Sequence, residues 1–309
     1  MKTTITIVFA LIITVLSGTA MAFPFGNSHQ VYIDDVRIHY RYWPVSDEEL
    51  KGSFLLVHGF GGSTFSWQEV ADSLQNLGYA VIAVDMPPFG YSDKSSRINQ
   101  SVTAHAERLH RLIQSEFPGR TWHLAGHSMG GAVVQAYALM YPDDLQTVTF
   151  VAGALFSRIS EAGQHVNFLL RLSPLRFVLG ELAEQWFINN NRIEQLLESA
   201  YGKPPTEEQV NAYLQPLRIP GTARAILSSA AYYHELQSLE ANALQVPAIA
   251  IWGEEDTWVS YKGRKSVIEQ MQNLQLVLLE DTGHNPMETH LDAFMEAWLA
   301  ALQDMYFTQ

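Results

Sequence analysis

The residues with the clearest chemical potential lie near the middle of the chain, where positions 126–130 read Gly-His-Ser-Met-Gly. This segment directly follows a short apolar run and precedes a helical pattern, which is the context that a G-x-S-x-G nucleophile elbow requires. Glycines two positions before and after Ser128 permit a turn so tight that the serine hydroxyl points into open space. Such a serine becomes a nucleophile once a base removes its proton. The alternative is a glycine-rich turn whose serine has no chemical role.

A carboxylate and a histidine follow this serine in the chain order that an elbow of this kind demands. Asp256 lies in the loop after the apolar run at 248–252, and His284 lies in the loop after the next run, at 276–279. We expect Asp256 to hold the imidazole of His284 in one tautomer, while His284 takes and returns the proton of Ser128. Glu254 and Glu255 are alternative acids, but the spacing of the loop favours Asp256.

A second glycine-rich loop, at 58–62, reads His-Gly-Phe-Gly-Gly and closes an earlier apolar run. Its glycines let the backbone come close to a reacting group. A tetrahedral intermediate needs two N–H donors near its oxyanion. Met129, the residue after the nucleophile, is expected to supply one from its backbone, and Phe60 is our choice for the other.

Strands and helices are predicted on either side of these loops from the pattern of apolar residues. An alternating segment at 31–42 predicts an opening antiparallel hairpin. Short, mainly apolar runs then predict strands that are buried on both faces, at 54–57, 80–84, 122–125, 147–151, 248–252 and 276–279. Helical stretches lie between them, including one from Met129 and a final one expected from Met287 to Leu302. The sequence therefore predicts an α/β fold with an eight-stranded, mostly parallel sheet.

The strand pattern is interrupted between about 156 and 240, where several short helices broken by proline and glycine are expected. Thr206 and Gln209 have the spacing of a capping box at one helix start. The many apolar side chains of this insertion either pack on the rim of the sheet or roof an apolar substrate pocket. Tyr232, Tyr233 and His234 are further candidates to line it.

The composition of the chain limits the classes of ligand and cofactor that it can bind. The chain has 309 residues, is 47% hydrophobic and has a net charge of −13 without any basic run, so it can build a large core and is unsuited to nucleic acid. It has no cysteine, so a nucleophile must use oxygen or nitrogen. No phosphate-binding glycine motif occurs, and the His284, Glu288 and His290 group lacks the spacing of a metal site. We therefore expect neither cofactor nor metal.

The first 22 residues have the pattern of a secretory signal peptide. Lys2 precedes a twelve-residue apolar run, and Ala-Met-Ala at 20–22 fits a cleavage site. The run is short for a membrane span, which needs about 20 apolar residues. We expect a secreted or periplasmic protein. The alternative is that the segment is not cleaved and anchors the protein to a membrane, and we expect membrane association only in that case.

Taken together, the segments at 58–62, 85–92, 126–130, 252–256 and 283–284 resemble the α/β-hydrolase superfamily. The resemblance implies an eight-stranded sheet whose core comprises 23–155 and 241–309, and a helical cap, at 156–240, inserted after the sixth strand. It also implies no cofactor and chemistry by Ser128, Asp256 and His284. In similar proteins His58 is structural. Pro88 departs from the small residue that many relatives carry, which bears on the shape of the pocket.

Residues at the elbow separate the subclasses of that superfamily. Haloalkane dehalogenases and epoxide hydrolases carry aspartate where this chain has Ser128, and prolyl aminopeptidases usually have tryptophan where it has His127. Hydrolysis of a small-molecule carboxylic ester is therefore the expected activity, with carbon–carbon bond hydrolysis or perhydrolysis as minor alternatives. The rival from another class is a catalytically idle binding protein, anchored at a membrane.

Overall fold

The computed structural model describes residues 24–156, 188–229 and 240–307. The predicted signal peptide at 1–22 lies outside these ranges. So do two parts of the predicted insertion, including Tyr232, Tyr233 and His234. The predictions for those segments therefore stay predictions.

A single eight-stranded sheet forms the centre of the described structure, in the order β1-β2-β4-β3-β5-β6-β7-β8. The strands are β1 (Ser28–Ile33), β2 (Val36–Trp43), β3 (Gly52–Val57), β4 (Tyr79–Val84), β5 (Trp122–His127), β6 (Leu145–Val151), β7 (Ala248–Gly253) and β8 (Leu274–Leu279). Strand β2 pairs antiparallel with β1 and β4, and all other pairs are parallel. The predicted hairpin and parallel sheet are confirmed.

The apolar runs became strands because both faces of the sheet are covered. Successive residues of a strand point to opposite faces. In β3, Leu55 and Val57 belong to the hydrophobic core on one face, whereas Phe54 and Leu56 belong to the core on the other. All four are essentially inaccessible to solvent. A polar residue at any of these positions would have no water to bind, which explains the wholly apolar pattern.

Most of the described helices flank this sheet, and those of the insertion lie over the loops at its edge. The described helices are α1 (Gln68–Asn76), α2 (Val102–Glu116), α3 (Met129–Met140), α4 (Asn190–Tyr201), α5 (Glu207–Leu217), α6 (Thr222–Ser229), α7 (Tyr261–Ile268), α8 (Pro286–Thr289) and α9 (Leu291–Phe307). Short 3-10 helices occur at Thr64–Trp67, Pro142–Asp144 and Ala241–Ala243. Among these helices, none is both long and apolar enough to cross a membrane.

The last predicted helix is wrong in one respect. Instead of one helix from Met287 to Leu302, the chain forms α8 and α9, separated at His290, whose φ of −140° and ψ of 54° are not helical. Apolar periodicity continues across this residue, so the pattern could not reveal the break. The consequence is that α8 belongs to the loop that carries His284.

Helices α4 to α6 lie between β6 and β7, where the insertion was predicted. The predicted capping box is present at the start of α5, with Thr206 and Gln209 bonding to each other's backbone N–H. Pro216, expected to interrupt a helix, instead lies within the last turn of α5. Apolar side chains of α4 and α5, such as Leu197 and Leu214, form a separate core with Phe89. The described part of the insertion is thus seated on the loops at the sheet edge.

Candidate active site

Ser128 occupies a strained turn between β5 and α3. The strand ends at His127 and the helix begins at Met129, so Ser128 alone makes the connection, with a φ of 50° and a ψ of −117°. A non-glycine residue at positive φ costs on the order of 1–3 kcal/mol and persists only where its surroundings impose it. Here the Ser128 N–H donates to the Val151 carbonyl and its own carbonyl accepts from Ala154, which fixes the turn. The predicted elbow is therefore present.

The two flanking glycines are required by close backbone contacts. A Cβ on Gly126 would lie 2.4 Å from the carbonyl oxygen of Gly130. A Cβ on Gly130 would lie 2.6 Å from the carbonyl oxygens of Val57 and His58. Any larger residue would push the first turn of α3 away from β3 and β5, so these glycines set the position of Ser128.

Asp256 and His284 form a buried hydrogen-bonded pair at the same sheet edge. Asp256 Oδ2 lies 2.8 Å from His284 Nδ1, and the two residues are 5% and 3% exposed. Asp256 Oδ1 accepts from the backbone N–H groups of Trp258 and Val259 at 2.8 and 2.9 Å. Because an ionised carboxylate only accepts, Nδ1 of His284 carries the proton in this pairing and Nε2 is left as a base. Glu255, the neighbouring alternative, is exposed.

Three further contacts hold the His284 loop. The backbone N–H of His284 donates to the carbonyl of Ala200 in α4 at 2.7 Å. His127 Nε2 lies 2.9 Å from the His284 carbonyl, to which it donates. Burial, followed by the nearby His284 ring, holds the pKa of His127 well below its usual range, so His127 stays neutral. The indole of Trp258 stacks on the His284 ring, with centroids 5.7 Å apart.

The 58–62 loop lies against the turn that carries Ser128. A Cβ on Gly59 would lie 3.0 Å from Ser128 Cβ, so the backbone leading to Phe60 passes directly beside the serine. Met129 is the first residue of α3, and the N–H groups of a first helical turn have no partner within the helix. Met129 is thus the direct neighbour of Ser128, and Phe60 follows the glycine that packs against it; their role as oxyanion donors stays a prediction.

His58 has the structural position that the resemblance implied. Its Nδ1 donates to the Gly59 carbonyl at 2.7 Å, and its Nε2 accepts from the Met86 N–H at 2.9 Å. Burial lowers the pKa of His58, which keeps the ring neutral in this role. The ring thereby joins the ends of β3 and β4 beneath the loop.

A cavity of about 370 Å³ opens beside Ser128 and His284. Its walls are almost entirely apolar and come from the elbow, the 58–62 loop and the insertion helices. The insertion supplies Ile188, Ile193, Leu196, Leu197, Ala200, Tyr213, Leu217, Ala223, Ile226 and Leu227. The described insertion thus both packs on the core and roofs a pocket, so the two alternatives for its apolar side chains are both realised.

Three large apolar side chains at this cavity face solvent. Phe60 is 57% exposed, Leu196 is 50% exposed and Trp258 is 46% exposed. Their chain segments are the 58–62 loop, the insertion and the loop after β7. The mouth of the cavity is therefore apolar like its interior.

Among the residues that line the cavity, Trp258, Asn285 and Tyr213 were assigned no role from the sequence. Trp258 and Asn285 are neighbours of the predicted acid and base, and that proximity was an available signal. Tyr213 is far away in sequence and carried none.

The described ranges contain no group of three or more histidine, cysteine, aspartate or glutamate side chains arranged to hold a metal ion. Near the active site, Glu288 instead accepts hydrogen bonds from two tyrosines, and His290 Nδ1 pairs with Thr289 Oγ1.

Comparison with known proteins shows the family of this chain. The family model described as alpha/beta hydrolase fold matches residues 52–291. Lipase 3 of Moraxella sp. (strain TA144) is 28% identical over 238 residues, which cover 75% of this chain and 71% of the lipase. A monoacylglycerol lipase of Homo sapiens is 28% identical over 250 residues, covering 76% of this chain and 70% of that protein.

Solved structures share the fold. A putative lipase from Acinetobacter baumannii AYE superposes with a TM-score of 0.70 at 22% identity, covering 91% of this chain and 92% of that one. A bacterial membrane phospholipase A superposes with a TM-score of 0.69 at 23% identity, covering 90% and 86%.

Proposed function

The chain belongs to the alpha/beta hydrolase fold family, and from this premise we propose that it is a serine hydrolase that cleaves small or medium-sized apolar carboxylic esters. The observation that carries the proposal is the buried 2.8 Å contact between Asp256 Oδ2 and Nδ1 of His284, a residue that lines the same cavity as Ser128. This contact leaves His284 Nε2 as the one imidazole nitrogen able to accept a proton.

In the first half-reaction, His284 Nε2 takes the hydroxyl proton while Ser128 Oγ attacks the ester carbonyl carbon. The oxyanion that forms is bound by the backbone N–H groups of Phe60 and Met129. The carbon–oxygen bond to the alcohol then breaks, and the alcohol leaves with the proton from His284. Asp256 stabilises the imidazolium during this step.

The second half-reaction releases the acid. His284 takes a proton from a water molecule whose oxygen attacks the acyl carbon. The bond to Ser128 Oγ breaks, the proton returns to the serine, and the free enzyme is restored. Apart from the ester and one water molecule, every group in these two half-reactions is a side chain or backbone group of the chain.

The walls of the cavity support an apolar acyl group as the preferred ligand. A cavity with almost no polar lining offers no compensation for a charged or hydroxylated chain, which would lose its hydration there. The names of the relatives, which include lipases and a monoacylglycerol lipase, point to the same substrate class.

A series of p-nitrophenyl esters from acetate to dodecanoate tests the proposal. We expect kcat/KM to rise with chain length until the cavity is filled and then to fall, and we expect the Ser128→Ala variant to be inactive throughout. Equal hydrolysis by the parent and by Ser128→Ala would contradict it.

Export of the protein remains a proposal from the sequence. Intact-mass analysis of protein from the periplasm or medium should show loss of residues 1–22; a full-length, membrane-bound product would favour the anchor instead.

A further inference from the structure

One carboxyl group, that of Glu288, joins the insertion helices to the loop that carries His284. Its Oε2 accepts from the Tyr201 hydroxyl at 2.7 Å, at the end of α4. Its Oε1 accepts from the Tyr213 hydroxyl at 2.5 Å, in α5, and from Asn285 Nδ2 at 3.0 Å. Both oxygens are thus engaged by donors from two insertion helices and from the residue next to His284.

The same region joins the two parts through their backbones. The N–H of His284 donates to the carbonyl of Ala200, the residue before Tyr201. A Cβ on Gly283 would lie 2.7 Å from that same carbonyl oxygen, so the two backbones are in direct contact. Displacement of the end of α4 would therefore move the backbone of His284.

Tyr213 extends this connection to the opposite side of the site. Its hydroxyl lies 3.0 Å from Ser66 Oγ, in the 3-10 helix that follows the 58–62 loop. Tyr213 also lines the cavity beside Ser128. The Glu288 cluster, defined as Glu288, Tyr201, Tyr213, Asn285 and Ser66, therefore contacts the loops on both sides of the reacting serine.

The protonation of the tyrosines in this cluster favours stable hydrogen bonds to Glu288. Burial raises the pKa of the Glu288 carboxyl, and the hydrogen bonds from Tyr213, Tyr201 and Asn285 act in the opposite direction. Burial and the adjacent Glu288 raise the pKa of both tyrosines, so each stays a neutral O–H donor. Among the described side chains, none forms an ion pair with Glu288. The hydrogen bonds from the two tyrosines and Asn285 therefore offset part of the cost of burying this carboxyl group.

We propose that Glu288 is a positioning residue that couples the seating of the insertion helices to the alignment of His284. When α4 and α5 are in place, the Glu288 cluster and the Ala200 carbonyl fix the His284 loop, and Asp256 then orients the ring. When these helices are displaced, the loop loses those supports and the base is no longer aligned with Ser128. The inference depends on the proposed function only for the role of His284.

The rate of labelling of Ser128 by a small fluorophosphonate tests this coupling, because the reagent needs an aligned base but few contacts with the insertion. We expect Glu288→Ala to lower the labelling rate about 10- to 100-fold, since a misplacement of about 1 Å can cost 10²-fold. Glu288→Gln keeps an acceptor oxygen and should recover most of the rate. Tyr213→Phe, which removes one neutral hydrogen bond, should lower the rate about fivefold.

The matched control is Lys203→Met. Lys203 Nζ donates to the Thr289 carbonyl, so this variant removes a hydrogen bond between the insertion and α8 without touching the Glu288 cluster. We expect it to label at the parental rate. A folded Glu288→Ala variant that also labels at the parental rate would overturn the proposal, and if that variant does not fold, Tyr201→Phe and Tyr213→Phe decide in the same way.

A second readout separates this inference from the proposed function. Hydrogen–deuterium exchange at the His284 amide, which donates to Ala200, should become at least about tenfold faster in Glu288→Ala, whether or not Ser128 is reactive. If the parent is not labelled by the fluorophosphonate but Glu288→Ala still shows faster exchange, the proposed hydrolase function is refuted and the structural coupling is retained. Unchanged exchange would refute the coupling itself.

Discussion

Replacement of Asp256 by asparagine should abolish most of the activity for a reason that the hydrogen bonds define. Asp256 Oδ1 is held by two backbone N–H donors, from Trp258 and Val259. An asparagine must keep its only oxygen at that position, so its NH₂ group faces His284 Nδ1. Two donors cannot share one hydrogen bond, and Nδ1 must therefore lose its proton and become the acceptor.

The proton then resides on Nε2, which is the atom that must take the proton from Ser128. The variant retains the geometry of the site but has the wrong tautomer. A loss of this kind lowers kcat by about 10⁴-fold in a serine triad, which corresponds to about 5 kcal/mol of transition-state stabilisation.

The assay is hydrolysis of the best p-nitrophenyl ester by the parent, Asp256→Asn and a control, Glu255→Gln. Glu255 is the adjacent carboxylate but is exposed to solvent, so we expect its variant to retain parental kcat/KM. Thermal unfolding should show that all three proteins are folded. An Asp256→Asn variant within tenfold of the parent would refute the assignment of Asp256, as would an equal loss in Glu255→Gln.

Three further predictions concern stability. Gly126→Ala forces a methyl group to within 2.4 Å of a carbonyl oxygen and should lower the free energy of unfolding by about 1–3 kcal/mol. Gly263→Ala, in helix α7, meets nothing within 4 Å and should raise the free energy of unfolding by about 0.5–1 kcal/mol. Urea unfolding that ranks the two variants in the opposite order would contradict the close packing at Gly126. Burial lowers the pKa of His123 to about 4, so the unfolded chain binds a proton that the folded chain does not, and stability should fall by roughly 3 kcal/mol as the pH drops from about 6.5 to 4. In urea unfolding measured across this pH range, His123→Gln should lack this loss of stability, whereas His29→Gln, which changes an exposed histidine, should keep it. The same pH dependence of stability in the parent and both variants would disprove the effect. Burial lowers the pKa of Lys94 to about 7, so between about pH 7 and 10 the unfolded chain binds more protons than the folded chain. The stability of the parent should therefore rise relative to that of Lys94→Met over this pH range. A difference in Tm between the two proteins that does not change with pH would contradict this.

Much of the architecture could be predicted because its signals are local. A wholly apolar run such as 54–57 fits only a strand covered on both faces, and the glycines around Ser128 fit only a crowded turn. Of the three neighbouring carboxylates, Asp256 is the one found in contact with His284, and its catalytic role stays a prediction.

Features that depend on distant contacts could not be predicted in the same way. Glu288 drew attention only as a neighbour of two histidines, although its partners Tyr201 and Tyr213 lie 87 and 75 residues away. Nothing in the local pattern relates those positions. The break at His290 was missed for a similar reason, since the conformation of one residue leaves the apolar periodicity unchanged.

Covalent labelling by a fluorophosphonate is the sharpest test of the proposal that His284 and Asp256 activate Ser128. Intact-mass analysis should show one adduct on the parent, located at Ser128 by peptide mapping, and none on Ser128→Ala. The His284→Ala variant should react far more slowly than the parent. A folded parent that acquires no adduct, or a Ser128→Ala variant that labels equally well, would contradict the account.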